Sequence, residues 1–170
     1  MTLQRLRLAA FLALFLLTAA SVAVTFSAQR DQQSDAEIID LAGRQRLLVQ
    51  YLRLETRELR DDPASRAELD QTAHLYFEQT LAALTSGGPA TETDGDTVVL
   101  PPARSPAILA QLGVVGGLWW NEFDPAVHVL LRDEPSSAAF AEAGETVERA
   151  APGLIAESDK LVQLYEAEAE

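Results

Sequence analysis

Leu8 to Ala28 is a run of 21 residues without a charge, and it leads within ten residues into Ile38 to Leu59, IIDLAGRQRLLVQYLRLETREL, a long arginine-bearing amphipathic stretch. At ~1.5 Å rise per residue the first segment is long enough to cover the ~30 Å hydrocarbon core of a bilayer. Arg5 and Arg7 precede it, while Asp31 and Asp35 follow, an asymmetry that puts the amino terminus in the cytoplasm and exports the remainder. A charged start, an apolar run from Leu8 to Ala20 and small residues at Ser21 and Ala23 also satisfy the pattern of a cleaved signal peptide. On either reading residues 1–30 are the anchor or signal peptide, and residues 31–170 form one exported domain of ordinary size.

The formal charge of −13 makes nucleic acid and anionic lipid surfaces poor partners for that domain. Cysteine is absent, which excludes thiol chemistry, disulfides and cysteine-ligated metal. There is no nucleophile elbow, phosphate loop or zinc-protease motif. The acidic residues are scattered, so no pair stands out as a general acid and base. The chain reads as a non-enzyme, with no cofactor implied.

Four helical stripes organise the exported part. Ile38, Leu41, Leu48, Leu52 and Leu59 recur at helical spacing, and Asp61, Asp62 and Pro63 end that pattern. A second stripe runs from about Ala64 to Ser86 through Leu69, Ala73, Tyr76, Phe77, Leu81 and Leu84, and Gly87, Gly88 and Pro89 stop it. The stretch from Gly87 to Pro106 reads as a long crossover loop with room for one extended stretch, because its one apolar run, Val98 to Leu100, is too short to found a sheet. The third stripe starts with Ser105 as cap and Pro106 as first residue, then passes Ile108, Leu112, Val115, Trp119, Phe123, Val127 and Leu130. Gly113, Gly116, Gly117 and Pro125 weaken it and predict a kink or a tight helix contact. The fourth starts at Ser136 or Ser137, is interrupted at Pro152 and Gly153, and resumes through Leu154, Leu161 and Tyr165. The expected fold is all-α, an antiparallel four-helix bundle with a long loop between the second and third helices.

Gly43, Arg46, Gln50, Arg53 and Arg57 fall along one side of the first helix, roughly opposed to Leu41, Leu48, Leu52 and Leu59. Gly43 permits close approach of another backbone, and guanidinium forks match small oxyanions. If two copies pair through this side, Arg46 faces its mate across the axis and an anion relieves the repulsion. The competing reading is an ordinary solvated face, with pairs such as Arg44 with Asp40 worth only a few tenths of a kcal/mol. Both remain open.

The histidines sit beside acids: Asp70 and Glu78 flank His74 by one turn, and Asp124 precedes His128 by one turn. Each pair alone supplies too few ligands for a metal, so no metal site is assigned and surface ion pairing is expected. Trp119 and Trp120 read as core and interface anchors.

DLAGRQRLLVQ, Asp40 to Gln50, resembles the signature of the PilJ-type domain, the exported input module of type IV pilus chemotaxis transducers, which is related to the sensor domain of NarX-type nitrate/nitrite kinases. FEQTLAALTSG (Phe77 to Gly87), Trp120 and Phe123 with Val127 and Leu131, and LIAESDKLVQLYE (Leu154 to Glu166) resemble later parts of that family in the right order. Leu47, Val49 and Tyr51 depart from its usual methionine, small hydroxyl residue and arginine, and Asp159 stands where asparagine is common.

The resemblance implies a periplasmic sensory domain, single-pass in the inner membrane or released after signal cleavage, that works as a homodimer. It puts Arg46 at the position where nitrate-sensing relatives hold their anion; Gly43, Gln50 and Arg53 complete the expected ligand-binding set. No second span, kinase or methylation region precedes Glu170, so the output is expected from a receptor or kinase partner, or the chain is the remnant of a longer receptor. The alternative is an envelope interaction protein that uses the bundle as a docking surface.

Overall fold

A computed structural model describes residues 3–92 and 95–169, and the side chains at 3–14, 23, 26–34 and 63 lie outside that description. Two compact units are present, Met1–Ala36 and Glu37–Glu170. In the first, Phe15, Leu16, Leu17, Val22 and Val24 are all at least 60% exposed. Among the described residues no helix is long and apolar enough to cross a membrane. Much of the expected anchor, residues 8–28, falls on side chains outside the described residues.

The all-α expectation holds. Helix α1 spans Leu3–Glu58. Its part in the second unit buries Leu41, Ala42, Gln45, Leu48, Val49, Leu52 and Thr56, a stripe at three- and four-residue spacing that continues to Leu59 beyond the helix end. Full burial of one such leucine stabilises the fold by about 1.5–3 kcal/mol. The chain then turns. The Asp62 carboxylate accepts the Ala64 N–H at 2.9 Å, and Pro63–Ser65 forms a single 3₁₀ turn.

The next arm is α2 (Arg66–Asp70), a π-helical stretch (Gln71–Glu78) and α3 (Gln79–Ser86). Gly87 ends it with φ +75°, and a Cβ there would lie 2.8 Å from the Pro102 nitrogen, so only glycine fits. Beyond Gly87 the chain departs from the expected loop and forms a small hairpin. β1 (Gly88–Thr91) pairs antiparallel with β2 (Thr97–Leu100), with Gly88 opposite Leu100 and Thr91 opposite Thr97. Ala90 and Leu100 are buried, and the Thr91 N–H donates to Gln79 Oε1 at 3.2 Å, so this hairpin is tied to α3. An isolated hairpin is marginal in water; this one has a helix to pack on.

α4 (Pro106–Leu118) opens at the expected proline. It passes into a second π-helical stretch (Trp119–Phe123) and then α5 (Asp124–Arg132). Pro125 has no N–H to donate, and the widened π-helical turn before it accommodates that loss. α6 (Ala138–Ala169) is capped by Ser137, whose hydroxyl accepts the Phe140 N–H at 3.0 Å. It runs unbroken through Pro152 and Gly153, contrary to the expected interruption. Buried Val147, Ala150, Ala151 and Leu154 on both sides of the proline hold the helix against a penalty of ~3 kcal/mol.

Neighbouring arms run in opposite directions. Gln45 and Glu55 of α1 reach Phe77 and Thr72, and Arg46 and Arg53 reach Asp159 and Glu148 of α6. Arg66 reaches the Asp133 carbonyl while Glu78 meets Trp119. At the centre Trp119 lies between Phe77 and Phe123, with ring centroids 4.2 and 5.4 Å apart.

Candidate functional site

The arginine side of α1 lies at its border with α6. Arg46 Nη1 donates to Asp159 Oδ1 at 2.7 Å, with both side chains roughly half exposed. Arg53 donates from Nε and Nη2 to one oxygen of Glu148, at 3.1 and 2.7 Å, and Arg57 Nε donates to the other at 2.7 Å. Glu148 is thus held by two guanidinium groups, and these bonds, first from Arg57 and then from Arg53, keep its carboxyl below the ordinary value. The same border opens into a groove lined by Thr56, Arg57, Arg60, Gly144, Glu148 and Arg149. Arg44 pairs with Asp40 at 2.8 Å, as expected for a solvated face, and also with Glu92 at 3.2 Å.

The five residues of this side therefore do not act as one set. Arg46 is paired with Asp159, Arg53 and Arg57 share Glu148, and Gln50 is exposed. A Cβ placed on Gly43 would meet nothing within 4 Å, so the close backbone approach expected there is not made within the chain. Beside these residues Leu47 and Leu54, one heptad apart, are 49% and 50% exposed, and Tyr51 is 44% exposed. Within the second unit the same helix buries Leu41, Leu48 and Leu52 and leaves these two half in water. Chemically, the edge can take an anion through the donors that Asp159 leaves on Arg46 and that Glu148 leaves on Arg53 and Arg57.

A second constellation joins the first π-helical stretch to α5, and sequence spacing does not predict it. The acids and histidines of separate helices, each pair too small alone, converge. His128 Nε2 is 3.3 Å and His74 Nε2 3.8 Å from the same oxygen, Asp124 Oδ1. The two rings tilt at 35° with centroids 5.3 Å apart. His74 Nδ1 faces Asp70, 3.0 Å from its carboxylate and 3.2 Å from its carbonyl, and that assigns the proton to Nδ1 and the lone pair to Nε2. Asp124 Oδ1 is buried without a hydrogen bond. Next to it Glu78 Oε1 accepts the buried Trp119 indole N–H at 3.0 Å. Burial pushes the Glu78 carboxyl up, and that hydrogen bond and His74 offset part of the shift. Sequence spacing cannot show this cluster, because its members lie on two helices about 50 residues apart.

Residues 28–148 match the model of the PilJ family, described as type IV pili methyl-accepting chemotaxis transducer N-term. No curated protein and no solved structure matches the chain significantly.

Proposed function

The chain belongs to the PilJ family of transducer N-terminal domains, and from that premise we propose that it is a non-enzymatic sensory input module, an antiparallel four-helix bundle working as a homodimer through the exposed side of α1. The observation that carries this is the half-exposed pair Leu47 and Leu54, with open space above Gly43 between the preceding turn and the arginine row. Leucines seven residues apart form the seam of a two-helix contact, and a small residue beside them lets the helices close. Arg46 borders that seam, so two copies bring two guanidinium groups near the axis.

A small oxyanion is the ligand this arrangement favours. It takes the donors of Arg46 that point away from Asp159, bridges to the mate's Arg46, and changes how the two α1 helices pack. The apolar residues 8–28, including the exposed Phe15, Leu16, Leu17, Val22 and Val24, support anchoring in the inner membrane with the bundle in the periplasm, and the shift in α1 then passes toward the membrane. Output is supplied by a receptor or kinase partner.

Thermal shift of the full chain against nitrate, nitrite and other small anions tests the reading. At one hundred times Kd a specific anion stabilises by about 2.7 kcal/mol, and Arg46→Ala abolishes the shift while leaving the unliganded fold intact. A monomer by light scattering at micromolar concentration, or an equal shift in Arg46→Ala, overturns it.

One observation favours the docking alternative. Trp120 is 52% exposed at the edge of an apolar groove formed by Leu81, Leu109, Leu112, Gly113 and Gly116. Exposed tryptophan in such a groove is a common anchor for a protein partner. Capture of an envelope protein that depends on Trp120, with no anion response, would favour that reading.

A further inference from the structure

We propose that His74, Asp124 and His128 form a binding site for a divalent transition-metal ion, with Zn²⁺ the best-fitting class, between the first π-helical stretch and α5. The donor atoms are His74 Nε2, His128 Nε2 and Asp124 Oδ1, which lie within 4.8 Å of one another. Around a tetrahedral zinc, with ligand bonds near ~2.0–2.2 Å, donors are separated by roughly 3.3–3.5 Å. The His128 to Asp124 distance of 3.3 Å already meets that spacing, His74 at 3.8 Å needs to close on Asp124 by a few tenths of an ångström, and the two imidazole donors, within 4.8 Å of each other, close on the ion by rotation of partly exposed rings.

Three features set the cluster apart from a surface ion pair. The shared oxygen, Asp124 Oδ1, is buried and accepts no hydrogen bond, an arrangement that is costly unless a cation or a donor satisfies it. His74 is oriented from behind: its Nδ1 faces the Asp70 carboxylate and carbonyl, the kind of outer-shell contact that orients a metal-binding imidazole. The histidine side chains remain 30% and 43% exposed, so a hydrated ion can reach them and a water can complete the coordination. Two imidazoles with one carboxylate suit zinc and its neighbours, whereas calcium and magnesium require mostly oxygen donors.

Such a site would clamp the second and third arms of the fold to each other, at the same level as the Trp119 stack. It is separate from the α1 edge on which the sensory reading rests, so the two can fail independently.

The test uses the purified full chain, stripped with chelator and titrated with ZnCl₂. One ion is expected to bind per chain, and at one hundred times Kd the melting temperature is expected to rise by roughly 5–10 °C. Mg²⁺ and Ca²⁺ at the same concentration should leave it unchanged. His74→Ala and His128→Ala should each weaken zinc binding by about 100-fold or more, since losing even an outer-shell partner costs 10–100-fold. Co²⁺ provides a second readout that does not depend on stability: a visible ligand-field absorption is expected in the wild type, removable by Zn²⁺ and missing from both variants. The chain is strongly acidic, so the decisive opposing result is specific. A zinc-induced shift that persists in the double variant H74A/H128A, or no zinc binding by the wild type, overturns the proposal.

Discussion

The border of α1 with α6 and the junction of the first π-helical stretch with α5 carry similar residue types and satisfy them differently. At the border two carboxylates face guanidiniums: Asp159 meets Arg46, and Glu148 meets Arg53 and Arg57. The groups are partly open to solvent and three guanidiniums face two carboxylates, so each contact is worth little and can be exchanged for another anion. At the junction the basic partners are imidazoles rather than guanidiniums, and one acceptor oxygen is left over in a buried position. The first arrangement is closed, and the second is short of one cation. Counting arginines therefore points to the α1 edge, while tracking unsatisfied atoms points to the histidines.

The largest effect that breaks this contrast comes from the junction's support. Trp119 is fully buried between Phe77 and Phe123, and its indole N–H is the donor to Glu78. Trp119→Ala removes the stack and leaves a partly buried carboxylate without that donor. A loss of about 3–5 kcal/mol is expected in urea denaturation at neutral pH. A loss below about 1 kcal/mol would mean that the aromatic stack does not organise the junction.

A smaller and more diagnostic pair of substitutions uses opposite pH slopes. Glu148 has its folded value lowered by Arg57 and Arg53, so its contribution is present above the ordinary value of 4.5 and disappears as pH falls through the folded value. Glu148→Gln should cost about 0.5–1 kcal/mol at pH 7, and less in acid. Glu55 is the reverse: burial leads its upward shift, the Thr72 hydroxyl opposes it, and Glu68 and Glu58 add to it. A raised carboxyl favours the fold most below its unfolded value and loses that advantage as pH rises through the folded one. Glu55→Gln should therefore stabilise the chain at pH 7, by on the order of 1 kcal/mol, with the gain vanishing below about pH 4.5. Chemical denaturation of both variants from pH 3.5 to 7.5 reads the two slopes. The same sign for both would contradict the assignment of one carboxylate as paired and the other as stranded.

How much the residues disclosed in advance depends on which interactions are local. The stripe Leu41, Leu48, Leu52 and Leu59, the Ser105–Pro106 start and the Ser137 cap all depend on neighbours within a turn or two, and they lie where spacing predicts. The β1–β2 hairpin did not show, because Gly88–Thr91 contains the glycine and proline that normally end structure, and its stability comes from α3 beneath it. Pro152 was misleading for a similar reason: buried alanines and leucines on either side outweigh its local penalty. The family likeness was legible from four short runs in order, and the matched region, residues 28–148, covers three of them and stops before the fourth. The pairing of Arg46 with Asp159 and the meeting of His74 with His128 are contacts between distant segments, and spacing within one helix carries no trace of them.

The smallest effect sharpens the comparison most. Asp159 of α6 partly occupies the arginine on which the anion reading rests, since its carboxylate takes Nη1 of Arg46 at 2.7 Å. Both groups are too exposed for the pair to hold the fold together, and Asp159→Asn should change stability by no more than about 0.5 kcal/mol in either direction. Its consequence for binding is larger in proportion. The variant removes a fixed negative charge beside the guanidinium, so any oxyanion that uses Arg46 should bind more tightly, and the difference should shrink at 1 M salt, where the Debye length falls to about 3 Å. Isothermal titration of the wild type and the variant with the same anion measures it. Unchanged affinity would show that the anion does not contact Arg46 at all, and a destabilisation above about 2 kcal/mol would make the pair a structural clasp rather than an occupied ligand position.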